Sequence, residues 1–140
     1  MDADVLSVVA ILILKDGHVL LVRHINSKHI ENIYGLPGGK LEAGETEAEA
    51  AKRELQEETA LVTTLADLRE LPTLWTGDVT FKNGNVRTCA MRVFLCRHYH
   101  GEIRGTKKEA PRWVPLSEVS TLPLLPNVEG AIQEGLQISL

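Results

Sequence analysis

Residues Gly39 to Leu61 read GKLEAGETEAEAAKRELQEETAL. Thr46 and Glu49 form a T-x-x-E capping box, the signature of a helix start. Ala48, Ala50, Ala51 and Leu55 supply a mostly small apolar side. The spacing predicts a helix from about Glu47 to Thr59. At about 100° per residue, Glu54 and Glu58 lie within roughly 40° of one another, and Glu57 within roughly 60° of Glu54. Three carboxylates therefore crowd one face. Like charges at these spacings destabilise a bare helix by a few tenths of a kcal/mol per pair. Two readings fit the crowding. One is a solvated outer face, with Arg53 and Glu57 as an i, i+4 pair. The other is a site for a hard divalent cation such as Mg²⁺, which takes oxygen ligands and relieves the repulsion.

Outward from this helix the chain alternates strand and turn signals. Val5 to Leu14 is apolar and rich in β-branched residues, the pattern of a strand buried on both faces. Asp16-Gly17 predicts a hairpin turn, with Val19 to His24 as the partner strand. Ile25 to Tyr34 reads as a polar loop. Gly35-Leu36-Pro37-Gly38-Gly39 reads as a backbone-permissive bend. After the helix, Leu61 to Leu74 reads as strand with interruptions. Trp75 to Phe81 and Val86 to His98 flank Asn83-Gly84, a second hairpin signal. Gly101 to Ala110 is a polar loop, Arg112 to Pro115 a short strand, and Pro126 to Leu136 a closing helix. No repeat or linker divides the chain, so residues 1–140 are expected to form one domain. The element order predicts an α/β fold with a mixed sheet covered by helices.

Composition narrows the function. With 44% hydrophobic and 24% charged residues, neither disorder nor a coiled coil is indicated. The net charge of −4 argues against broad binding of nucleic-acid polymers and against docking on an anionic membrane. Val5–Leu14 is too short to span a bilayer, and the acidic Met1-Asp-Ala-Asp is unlike a signal peptide. Cys89 and Cys96, seven apart on a predicted strand, point to opposite faces, so no disulfide is expected between them. Free thiols fit a reducing compartment, and the cytoplasm is the expected location. Cys96, His98 and His100 share a strand face, but three ligands at that spacing fit a tetrahedral metal site badly.

The stretch from Gly39 to Leu61 resembles the Nudix box, G-x5-E-x7-R-E-U-x-E-E-x-G-U, where U is a bulky apolar residue. Gly39, Glu45, Arg53, Glu54, Leu55, Glu57, Glu58 and Leu61 fall on it, and Ala60 stands where the family has Gly. The pattern covers 23 of the 140 residues. The resemblance implies a Nudix-type α/β/α sandwich and hydrolysis of a nucleoside diphosphate linked to another group, with Mg²⁺ or Mn²⁺. It implies that Glu54, Glu57 and Glu58 hold the metal, joined by the Gly38 main-chain carbonyl. Arg53 would orient the glutamates, and Glu45 would help hold the loop–helix geometry. Family members often take a general base or extra ligand from a loop acid outside the box. Glu109 is the candidate here, with Glu102 behind it. Ala60 either keeps a left-handed helix exit at a cost of roughly 1–2 kcal/mol or changes the exit.

Within the family the wording is similar to the MutT type, which hydrolyses 8-oxo-dGTP to the monophosphate and pyrophosphate. On that resemblance Arg23 and Lys40 are candidate phosphate contacts. Asn127, in Leu125-Pro126-Asn127 before the last helix, is the candidate reader of a purine edge, because an amide offers donor and acceptor in one plane. Asn127 also fits a plain helix N-cap. Trp75, Phe81 and Trp113 are candidates to stack on a base, or core residues. Lys28 and His29 are placed near the substrate entrance. The expected partner is a small nucleotide, and the chain is expected to be a monomer or a homodimer. Alternative substrates are ADP-ribose or another nucleoside diphosphate conjugate. A non-catalytic nucleotide-binding module of the same fold is the third reading.

Overall fold

The structure, a computed structural model, describes residues 5–25 and 30–139. The opening apolar run serves two sheets, which is why it is not one strand. It forms β1 (Val5–Leu12) and β2 (Leu14–Lys15), and the chain changes sheets at the buried Ile13. Asp16 and Gly17 both take positive φ, 50° and 75°, as a tight hairpin turn requires. β3 (His18–His24) follows. The bend expected over 35–39 carries two short strands, β4 (Ile33–Gly35) and β5 (Gly38–Lys40). The reading of Lys28 and His29 lies outside the described residues.

α1 (Glu47–Thr59) has the expected bounds, and both halves of its capping box are present. Past a short 3₁₀ turn, β6 (Leu68–Thr80) runs as one strand where interruptions were expected. Its pairing slips between Glu70 and Leu74. Pro72 lies in that gap and has no N–H for the ladder, so the irregularity is a bulge inside one strand. β7 (Val86–Cys96) completes the second hairpin. β8 (Glu109–Pro115) starts three residues earlier than expected, which puts Glu109 on a strand instead of a loop. Pairing with β3 extends it, down to His24 opposite Glu109. α2 (Val128–Ser139) begins just after Asn127.

One sheet has the order β5-β1-β7-β6, with β1 and β7 parallel and the other pairs antiparallel. In the other, β3 pairs with β2, β4 and β8. β1 faces both helices. Val9 and Ile11 pack with Ala50, Ala51 and Leu55 of α1. Ala10 and Leu12 pack with Val128, Ala131 and Ile132 of α2. The two-residue alternation of a strand thus divides the core into two layers around the sheets. α2 also covers the outer edge of β6. Glu134 Oε1 accepts from Thr73 N at 3.3 Å, and Asn127 Nδ2 donates to Thr76 O at 2.8 Å. An edge strand left bare would present a row of unpaired backbone groups. No helix among the described residues is long and apolar enough to cross a membrane.

Candidate active site

Two adjacent glycines bring the bend against α1, each for its own reason. A Cβ on Gly38 would run into the Val9 carbonyl oxygen across the β1–β5 pairing. A Cβ on Gly39 would lie 2.5 Å from Glu54 Oε1, so any side chain there would displace that carboxylate. With both positions bare, the main chain meets the carboxylates directly. Gly38 N donates to Glu58 Oε1 at 2.7 Å.

Arg53 organises the other acids. Its Nε donates to Glu45 Oε2 at 2.6 Å and its Nη2 to Glu45 Oε1 at 2.9 Å, a two-pronged grip. Nη1 reaches Glu54 Oε1 at 2.9 Å and Glu57 Oε2 at 3.1 Å. Nη2 also reaches the Lys40 carbonyl at 3.1 Å. One guanidinium therefore ties the bend, the segment before α1 and two helix carboxylates together.

Electrostatics bring in a further acid, Glu109. Glu58 is 8% exposed, and burial holds its carboxyl well above the usual carboxylate range. The Gly38 N–H opposes that shift, and the charges of Glu54, Glu109 and Glu57 add to it. Burial also raises Glu54, against the pull of Arg53, with Glu57 and Glu109 adding. Glu109 thus belongs to the same electrostatic cluster as the helix acids. Glu102 does not enter it and lines a separate cleft with Lys15, Tyr99 and Trp113.

As the carboxylates lie, Glu54 and Glu57 point to Arg53 and Glu58 to the Gly38 amide. Among the described residues, no group of three His, Cys, Asp or Glu side chains stands ready to enclose a metal ion. The donor set nonetheless fits a hard divalent ion. It offers only oxygens, and a cation offsets the burial and the added mutual repulsion that raise Glu54 and Glu58. The soft-metal alternative has no such support. Cys96 is buried, with its thiol directed at Thr63 Oγ1 and the His98 carbonyl.

Beside the acids opens a cavity of about 370 Å³, the size of a small-molecule pocket. Glu109, Gly38, Gly39 and Lys40 line it, and Val8, Ala10, Trp75, Val79 and Met91 give it an apolar wall. Asn127 lines it as well. Its backbone begins α2, since Ala131 N donates to Asn127 O at 3.0 Å, but its side chain crosses to β6 and does not cap the helix. Trp75 and Phe81 line the cavity, whereas Trp113 packs 6.1 Å from Tyr99 in the other cleft. Arg23 is exposed and donates to Asn32 Oδ1 at 2.8 Å, and its neighbour His24 lines the cavity in its place. Burial lowers the His24 pKa, and Glu109 across the strand pair opposes the shift. Arg87, on the same face of β7 as Met91, also lines the cavity. Sequence reasoning named neither His24 nor Arg87. Strand alternation was the available signal, since residues two apart share a face.

The NUDIX domain model matches residues 4–134. The chain belongs to the Nudix family. It is 35% identical over 127 residues to the Mycobacterium tuberculosis protein named "Putative 8-oxo-dGTP diphosphatase 2", covering 91% of this chain and 85% of that one. The crystal structure of the MutT NUDIX hydrolase from Burkholderia pseudomallei superposes with a TM-score of 0.71 at 25% identity, over 93% of this chain and 97% of that one. The NUDIX domain of Shewanella oneidensis NrtR, complexed with ADP ribose, superposes with a TM-score of 0.77 at 20% identity, over 100% and 91%. The fold is therefore the Nudix α/β/α arrangement with a mixed sheet. The protein is a Nudix pyrophosphohydrolase, and Nudix hydrolases generally use divalent metal ions.

Proposed function

We propose that this Nudix enzyme hydrolyses a purine nucleoside triphosphate, such as 8-oxo-dGTP or dGTP, to the monophosphate and pyrophosphate. The observation that carries the reading is the juxtaposition of an apolar, base-sized cavity with the acid cluster of α1 and Glu109. In this reading Glu54, Glu57 and Glu58, with the Gly38 main chain, hold Mg²⁺ or Mn²⁺. The ion, when bound, polarises phosphoryl oxygens and lowers the pKa of water. Glu109 takes the proton of the attacking water. The water oxygen forms a bond to the α- or the β-phosphorus, the P–O bond of the α–β bridge breaks, and the monophosphate and pyrophosphate separate, the one not attacked leaving with the bridging oxygen. Arg53 positions Glu54 and Glu57, and Lys40, which lines the cavity directly after the two glycines, is a candidate for a phosphate contact. The base enters the apolar end and meets Asn127. Arg23, turned to Asn32, is the weakest of the assigned contacts. The two free thiols, Cys89 and Cys96, accord with a cytoplasmic setting.

A second reading takes ADP-ribose as substrate, supported by 43% identity over 51 residues, 36% of this chain and 30% of the other, to the Methanocaldococcus jannaschii protein named "ADP-ribose pyrophosphatase". One experiment separates the two. A panel of nucleotides is incubated with Mg²⁺ and with Mn²⁺, and products are resolved by chromatography. We expect purine triphosphates to be cleaved fastest, with pyrophosphate released. Cleavage of ADP-ribose far faster than any triphosphate would replace the first reading with the second. Glu58→Gln is expected to cut turnover by orders of magnitude with the fold kept, and a near-wild-type rate sinks the assignment of the metal site.

A further inference from the structure

We propose that Gly77 is a specificity-determining position of this site, because its missing side chain opens the slot in which the Asn127 amide is pinned to β6. The proposal rests on the reading of the cavity as a nucleobase pocket and deepens it. Gly77 lines the cavity from the second half of the edge strand β6. A Cβ built there would lie 2.8 Å from Pro126 Cβ and 3.0 Å from Asn127 Nδ2. Real Cβ atoms do not tolerate the first distance, so any other residue at 77 must lift the Pro126–Asn127 elbow.

That elbow is already specialised. Asn127 takes φ 71°, a left-handed conformation that Asn tolerates better than most residues. This turn directs its side chain to the Thr76 carbonyl, one residue before Gly77. The bond fixes which end of the amide is which, because only Nδ2 can donate to a carbonyl oxygen. Among the described residues, Oδ1 and the second amide proton take no partner. The pinned amide thus presents one acceptor and one donor beside an apolar wall, the complement of a base edge with adjacent donor and acceptor groups. A freely rotating amide would lose entropy on binding and would accept the reversed edge equally well. Gly77 touches no reacting atom and acts through Asn127, so it is a positioning residue.

The test compares kcat/KM for dGTP with that for dCTP in wild type, Gly77→Ala, Asn127→Ala and the double variant. We expect each single variant to lower the purine preference by about tenfold, a common loss for a two-point base contact. The loss should fall on KM more than on kcat, and the double variant should be no worse than Asn127→Ala alone, since both act on one contact. If Gly77→Ala keeps the wild-type preference while Asn127→Ala loses it, the role of Gly77 is overturned and the base reading survives. If Asn127→Ala keeps the preference, the base reading falls and the proposal falls with it. A measurement on wild type needs no variant to fold beyond Asn127→Ala, which assigns the signal. The Asn127 side-chain amide pair in a ¹⁵N–¹H spectrum should hold one slowly exchanging proton without ligand. Free exchange of both protons overturns the proposal.

Discussion

Ala60 keeps the left-handed helix exit, with φ 70° and its N–H donating to Gln56 O at 3.0 Å. A Cβ there costs roughly 1–2 kcal/mol relative to glycine. Thr59 supports the exit, donating to Leu55 O at 2.6 Å and accepting from Leu61 N at 3.2 Å. We expect Ala60→Gly to raise unfolding free energy by about 1 kcal/mol, less than the strain relieved because glycine also loosens the unfolded chain. Urea denaturation measures it, and unchanged or lower stability would show that the exit is not strained. Arg53 is a second residue whose role is geometric. A lysine keeps the charge but lacks the planar fork that grips Glu45, Glu54 and Glu57 at once. Arg53→Lys is therefore expected to lose at least tenfold in kcat with little change in melting temperature, a split that steady-state kinetics and a thermal scan resolve. A single side chain's direction was the hardest thing to read from sequence. Arg23 and His24 are neighbours, and a strand sends neighbours to opposite faces. Which of them faces the cavity depends on how β3 sits between β4 and β8, and that pairing is nonlocal.

α1 was legible to the residue because its signals are local. A capping box, small apolar positions and the box spacing all lie within its own turns. β5 was not legible, because three residues of Gly-Gly-Lys have no strand propensity of their own. Pairing with Val8, Val9 and Ala10 of β1 makes them a strand. Nonlocal pairing likewise explains the early start of β8, where β3 holds Glu109 opposite His24 and so puts it on a strand near the helix acids. Gly39 is where strand and helix make their closest contact with the chemistry. We expect Gly39→Ala to displace the Glu54 carboxylate and to lower kcat at least a hundredfold. The fold should survive, since the atoms in the way belong to the far end of a side chain. Circular dichroism with a Mg²⁺ titration of the rate checks both halves, and full activity in a folded variant refutes the contact. Leu55, wholly buried between α1 and β1, marks the contrasting kind of position. Leu55→Ala is expected to cost about 2–5 kcal/mol.

At the scale of the molecule, the acid cluster couples stability to pH and to metal. Glu54 and Glu58 carry raised pKa values, so the folded state binds their protons more tightly than the unfolded state does. Their contribution is complete at and below the ordinary value of 4.5, and it is lost as pH rises through the raised values. Glu45 works in the opposite direction. Its hydrogen bonds from Arg53 lower its pKa, so its contribution is present above 4.5 and is lost as pH falls through the lowered value. The lowered His24 also opposes the raised acids, since its contribution is present above 6.5 and is lost as pH falls through its lowered value. Two raised acids, Glu58 well above its usual range, outweigh that one histidine, so the metal-free protein should be most stable in mild acid, not at neutral pH. A divalent cation supplies the charge that the protons supply at low pH, so it should stabilise the fold more at pH 8 than at pH 5. Glu58→Gln removes the larger of the two raised acids while keeping an acceptor for the Gly38 amide. It should raise the melting temperature of the metal-free protein at neutral pH, flatten the slope toward mild acid and shrink the stabilisation by Mg²⁺. Thermal scans from pH 4 to pH 9, in chelator and in excess Mg²⁺, carry all three comparisons. A wild-type profile in chelator that climbs steadily from pH 5 to pH 8 has the wrong sign, and the cluster would then not be what sets the pH response of this fold.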